Sequence, residues 1–149
     1  MQVGIVAAVF LAINLGTRTV SALTHQTNTA HLDAIGLIGS GLVIVWMALV
    51  GARWGVRYPF QRLFFDLGAA SLIGITLSLV IGPFIGGDTP FSGGLGEFVG
   101  EYLELLGVSA LGVFLGYMTM IVMGKDYRSR GLRRYEENYR KRPHRTVRG

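Results

Sequence analysis

Residues 105–124 read LLGVSALGVFLGYMTMIVMG, twenty positions without a charge, and Lys125 and Arg128 follow at once. A helix rises 1.5 Å per residue, so a hydrocarbon layer about 30 Å thick needs roughly 20 apolar residues. This run therefore reads as a membrane span. The basic residues at its end assign that end to the cytoplasmic side, because short segments rich in Lys and Arg are retained there during insertion.

Three further runs extend the pattern towards the N-terminus. Ala34 to Val50 continues through Gly51 and Ala52 to Arg53, about 19 residues and again long enough to span. Leu67 to Gly87 is interrupted only by Ser71, Thr76 and Ser78, whose hydroxyls can bond to backbone carbonyls one turn earlier. Pro83 predicts a kink or a stop near its far end, leading into a loop of Gly86, Gly87, Asp88, Thr89 and Pro90. The first run, Val3 to Gly16, is short, but extension to Leu23 gives about 21 residues and leaves Arg18 near the far interface, where its stem can snorkel. Val20, Ser21 and Ala22 resemble a cleavage site for a secretory leader. The absence of a positive N-terminal region favours a span instead.

The expected architecture is an all-α integral membrane protein. Four transmembrane helices, over about 3–23, 34–53, 66–87 and 101–124, form one domain of residues 1–124, and residues 125–149 form a basic cytoplasmic C-terminal tail. Both termini then lie inside, with the loop carrying Arg53, Arg57 and Arg62. The outer side holds Asp33, Asp88, Glu97, Glu101 and Glu104, with Arg18 its only basic residue. Trp54, Tyr58 and Phe60 suit the inner interface, and Phe91, Phe98 and Tyr102 the outer one. The plasma membrane of a bacterium or archaeon is the expected location, an organellar inner membrane the alternative.

Composition narrows the chemistry. Half of the 149 residues are hydrophobic and 15% are charged, well under the usual quarter. The 22 glycines fall inside apolar runs without a three-residue period, as in membrane helices rather than collagen. The lack of cysteine excludes disulfides, thiolate metal sites, iron–sulfur ligation and cysteine nucleophiles. The net charge of +5 is uneven: the tail holds ten basic against three acidic residues, a net of +7, and the remainder carries −2. Basicity confined to a tail, with no RNA-binding module, argues against nucleic acid as a partner.

Several constellations are candidates for function. Gly112 and Gly116 form GxxxG, and Gly36 and Gly39 open the second span with little bulk, so all four are expected to pack helices closely. Glu97, Glu101 and Glu104, spaced four and three apart, form one helical stripe that would serve as an external cation mouth or simply as a solvated extension. Arg18 and Glu104 are expected to pair, since a lone charge at helix centre costs about 3 kcal/mol on insertion scales. Arg62 and Asp66 have the spacing of an intrahelical ion pair. His25 and His31 are six apart, poor metal spacing, and His144 is the only other histidine, so no metal or haem site is assembled. In the tail, residues 131–142 are expected to form a short helix. Arg128, Arg133, Arg134, Tyr135, Tyr139 and Arg140 are its candidate contacts with anionic lipid headgroups or an acidic protein.

No nucleotide loop, zinc-protease helix, nucleophile elbow or dinucleotide fingerprint is present, so catalysis is not expected. No cofactor is evident either, although a bound lipid, quinone or pigment leaves little trace in composition. The leading expectation is a non-catalytic accessory or structural subunit of a larger respiratory, photosynthetic or transport complex, with other membrane subunits as partners. The alternative is a homo-oligomeric channel or exporter lined by Ser71, Thr76, Ser78 and Thr119, with the glutamate stripe at its mouth.

Overall fold

A computed structural model describes residues 2–24 and 29–140, with side chains described except at 29–33 and 86. The chain is all-α: α1 (Gln2–Leu23), α2 (Thr29–Gly55), α3 (Phe60–Gly86), α4 (Gly94–Val122) and α5 (Tyr127–Arg140). The first four are long and apolar enough to cross a membrane, and the protein is an integral, multi-pass membrane protein. At 1.5 Å per residue, the 29 residues of α4 reach about 44 Å, the full bilayer with its headgroups.

The helices outrun the apolar windows that announced them. α3 begins at Phe60, straight after Pro59, whose φ of −63° and ψ of 152° set the chain up to enter a helix. α4 begins at Gly94, so Glu97, Glu101 and Glu104 lie on its first turns. Hydropathy marks the part of a helix that meets hydrocarbon, whereas backbone hydrogen bonding carries the helix on into the headgroup layer. Pro83 does not stop α3. It lies in the last turn, where its missing N–H costs a single bond, and the helix runs to Gly86. Gly87, at φ 83°, then closes it in a left-handed turn, with Asp88 N–H donating to Pro83 O at 3.1 Å.

Two intimate pairs build the bundle, α2 against α4 and α1 against α3. α1 with α2 and α3 with α4 touch less, α2 with α3 less again, and α1 and α4 barely meet. The order around the ring is therefore α1, α3, α4, α2, with α1 and α4 on a diagonal. Within each pair the helices run parallel: Phe10 lies against Gly74 and Arg18 against Gly82, and Ile44 lies against Gly112 and Ala48 against Gly116.

Glycine sets the spacing. A Cβ at Gly112 would come within 2.7 Å of the Ile44 carbonyl, one at Gly51 within 2.9 Å of the Val113 carbonyl, and one at Gly116 would overlap the Ala48 carbonyl. Backbone thus meets backbone along α2 and α4, the close approach that small residues permit in lipid. Gly39 receives Thr17 of α1, whereas Gly36 is exposed with nothing within 4 Å. The expectation that both pack helices closely is corrected for Gly36, which lines a cleft shared with α1 and α4 instead of touching either helix.

The core is densest towards the α5 end, where Val6, Phe10, Val50, Trp54, Leu63 and Leu67 are buried together. Trp54 meets Tyr58 edge-on at 6.0 Å, and Phe60 lies 5.2 Å from Tyr117. Towards the opposite end the packing loosens and polar side chains take over.

Candidate functional site

The loosened end of the bundle is organised by Arg18. Its Nη2 donates to Glu101 Oε1 at 2.8 Å across the diagonal from α1 to α4. The expected partner was Glu104. Glu104 is exposed one turn deeper along α4, and the contact forms at Glu101 instead. The reason lies in α3: a Cβ at Gly82 would fall 2.7 Å from Arg18 Cδ, so the bare backbone of Gly82 gives the arginine stem its path over α3. That path leads outward to Glu101.

Two clefts flank this ion pair. One, of about 290 Å³, lies between Arg18, Gly82, Asp88, Gly93, Glu97 and Glu101. The other, of about 270 Å³, lies between Asn14, Thr17, Arg18, Ser40, Glu101 and Glu104. Arg18 and Glu101 line both, so the three glutamates are divided between two clefts, Glu97 in one, Glu104 in the other and Glu101 between them. Glu97 folds back over Gly93 at the start of α4, where the partial positive charge of the helix N-terminus favours a carboxylate. Asn14 and Thr17 donate instead to carbonyls of their own helix, Phe10 O at 3.0 Å and Ile13 O at 2.8 Å.

The hydroxyls considered as a pore lining are not brought together. Ser71 and Ser78 are buried in α3, whereas Thr76 and Thr119 are exposed on the lipid side, Thr119 donating to Leu115 O at 2.8 Å. Ser78 Oγ is buried without a partner among the described residues, and Ser109 donates to Leu105 O at 2.7 Å. These groups do not line a common path. Among the described residues, no three His, Asp or Glu side chains converge as a metal ion would require. His25 and His144 lie outside the described residues, as does the side chain of His31.

At the other end, α4 closes with a left-handed turn at Gly124, φ 61°, in which Lys125 N–H donates to Met120 O at 3.0 Å and Gly124 N–H to Ile121 O at 2.8 Å. Asp126 then caps α5, its Oδ2 accepting from the Arg128 amide at 3.1 Å and the Ser129 amide at 3.4 Å. The Ser129 hydroxyl, helped by these amides, holds the Asp126 carboxyl below its ordinary value of 3.8 against the opposing effect of burial. The helix so started has no buried residue. Arg128, Arg133, Arg134, Tyr135, Tyr139 and Arg140 are all exposed, with Tyr135 and Tyr139 stacked at 6.4 Å. Arg62 and Asp66 approach to 3.6 Å on α3, and Arg62 lies 4.9 Å over the Tyr58 ring.

One feature escaped the sequence reading. Gly4, Ala8, Ala12 and Gly16 recur every four residues on α1 and all four are exposed, with nothing within 4 Å of either glycine. An apolar groove of about 370 Å³ runs beside this ridge, between Ala12, Ile13 and Gly16 of α1 and Ile35, Ile38 and Leu42 of α2. Its signal in the sequence is the four-residue repeat itself, fainter than the GxxxG of α4 because two of its four members are alanine. Comparison of the chain with family models, with curated proteins and with solved structures returned no match.

Proposed function

We propose that the chain is a non-catalytic structural subunit of a larger membrane assembly, of the respiratory, photosynthetic or transport kind. The exposed ridge of Gly4, Ala8, Ala12 and Gly16 carries this reading. Lipid chains fill space against any apolar side chain, but a second helix backbone comes close only over small ones. The internal seams of the bundle use their glycines in that way, and the α1 ridge offers the same surface with no described helix of this chain upon it. Further support comes from the buried hydroxyls, which are too scattered to form a conduit for ions.

In the proposed orientation both termini and the loop with Arg53, Arg57 and Arg62 face the cytoplasm of a bacterial or archaeal cell, as the basic segments favour. The Arg18 clefts then open outward. Because the chain has no cysteine, single substitutions report this directly. Ser92→Cys is expected to react with an impermeant maleimide on intact cells, and Arg57→Cys only after permeabilisation.

The decisive experiment is native mass spectrometry of the tagged chain extracted from its own membrane in mild detergent. Defined heteromeric partners are expected, and Ala8→Phe together with Ala12→Phe is expected to release them while leaving the bundle folded, since both positions are exposed. A homo-oligomer alone, whose selective cation flux in liposomes is lost on Glu101→Gln or Glu104→Gln, would overturn the reading in favour of a channel.

A further inference from the structure

The helix α5 is amphipathic in a particular way. Leu132, Tyr135 and Tyr139 follow at three and four spacing and form one stripe, with Arg128 in line with it one turn earlier, Glu136 and then Arg140 to one side, and Glu137, Arg130 and Arg134 on the opposite face. The three stripe residues are 61%, 69% and 65% exposed, so the described residues give this face no cover. The helix carries five arginines against Glu136 and Glu137. Arg133 folds back towards Gly124, and Arg128, Arg130, Arg134 and Arg140 are exposed and form no ion pair among the described residues.

Position decides what those charges meet. Residues 123–126 alone separate the end of α4 from the first turn of α5, and the turn at Gly124 keeps even those compact. At this end α4 stops at Val122, inside the uncharged run that closes at Gly124, so the hydrocarbon edge falls here and α5 starts in the headgroup layer. Tyrosine rings settle at headgroup level, and a helix with an apolar stripe and an arginine-rich polar face has the composition of one that lies in the interface plane.

We propose that α5 is an interfacial helix bound to anionic lipid headgroups, with Leu132, Tyr135 and Tyr139 sunk to the acyl boundary and Arg128, Arg134 and Arg140 holding lipid phosphates. This goes beyond the subunit reading and does not depend on it, because lipid alone supplies the ligand. Each basic residue near an acidic surface changes partition roughly five-fold, so loss of three arginines weakens the bound state on the order of a hundred-fold.

The test uses the full-length chain, purified and reconstituted into vesicles of neutral phosphatidylcholine or of phosphatidylcholine with phosphatidylglycerol. A nitroxide is placed at Leu132→Cys on the stripe or at Glu137→Cys opposite, and collision with a water-soluble relaxation agent is measured. In acidic vesicles the label at 132 is expected to be protected several-fold relative to the label at 137, and added salt or the triple variant Arg128→Gln, Arg134→Gln, Arg140→Gln removes that protection. Equal accessibility of the two labels in acidic vesicles overturns the proposal. So does protection that appears only in native membranes with co-purifying protein, which would assign the stripe to an acidic protein partner.

Discussion

Gly116→Ala adds one methyl group and should separate two helices. The added Cβ would overlap the Ala48 carbonyl, and at Gly112 it would stand 2.7 Å from the Ile44 carbonyl and 2.8 Å from Met47 Cβ. Carbon and carbonyl oxygen ordinarily approach no closer than about 3.3 Å, so α2 and α4 must part by roughly half an ångström at Gly112 and by more at Gly116. The obstacle is helical backbone, which cannot rotate aside as a side chain would. Overpacking of this kind costs about 1–3 kcal/mol, set against roughly 1 kcal/mol gained from alanine's better helix propensity. Net losses of about 2 kcal/mol for Gly116→Ala and about 1 kcal/mol for Gly112→Ala are expected. Gly107, on the same helix with nothing within 4 Å, is the control: its alanine variant should be neutral or up to about 1 kcal/mol more stable. Denaturation by SDS from mixed micelles, followed by circular dichroism and by the fluorescence of Trp46 and Trp54, both on α2, measures all three. If Gly116→Ala and Gly107→Ala agree within experimental error, the two helices do not meet as described and the seam argument fails.

The Arg18–Glu101 contact should show a coupling of about 0.5–1 kcal/mol in a double-mutant cycle of Arg18→Gln and Glu101→Gln, since both side chains remain partly exposed, whereas Glu104→Gln should show no coupling to Arg18. Asp126 should stabilise α5 fully above its ordinary value of 3.8, and that contribution should vanish as pH falls through its lower value in the folded chain. Asp126→Asn keeps an N-cap acceptor and should remove the acid dependence, and Asp126→Ala should cost α5 about 1 kcal/mol, both read from amide exchange at Arg128 and Ser129.

The glutamate stripe shows where sequence reasoning reaches its limit. Spacing of four and three placed Glu97, Glu101 and Glu104 along one side of a helix, and the helix does include all three. Which of them meets Arg18 depends on the route open to a long side chain, and that route exists because Gly82 of a third helix has no Cβ in the way. No pairwise pattern in the sequence encodes a three-helix condition. The same limit separates Gly39 from Gly36: each is small, but only Gly39 meets Thr17 at close range. The span boundaries were displaced for another reason, because apolarity ends at the hydrocarbon edge and helical hydrogen bonding does not.

The sequence by itself determined that this is a four-span membrane protein with a basic tail. Long uncharged runs admit no other fold in lipid, where every backbone polar group must be satisfied within its own helix. Only the tertiary structure decided that α2 pairs with α4 and α1 with α3, that Arg18 crosses to Glu101, and that the small ridge of α1 is left open. Those outcomes rest on shape: in a solvent as apolar as the side chains, helix neighbours are chosen by close packing, and close packing is a property of surfaces brought together rather than of any one run of residues.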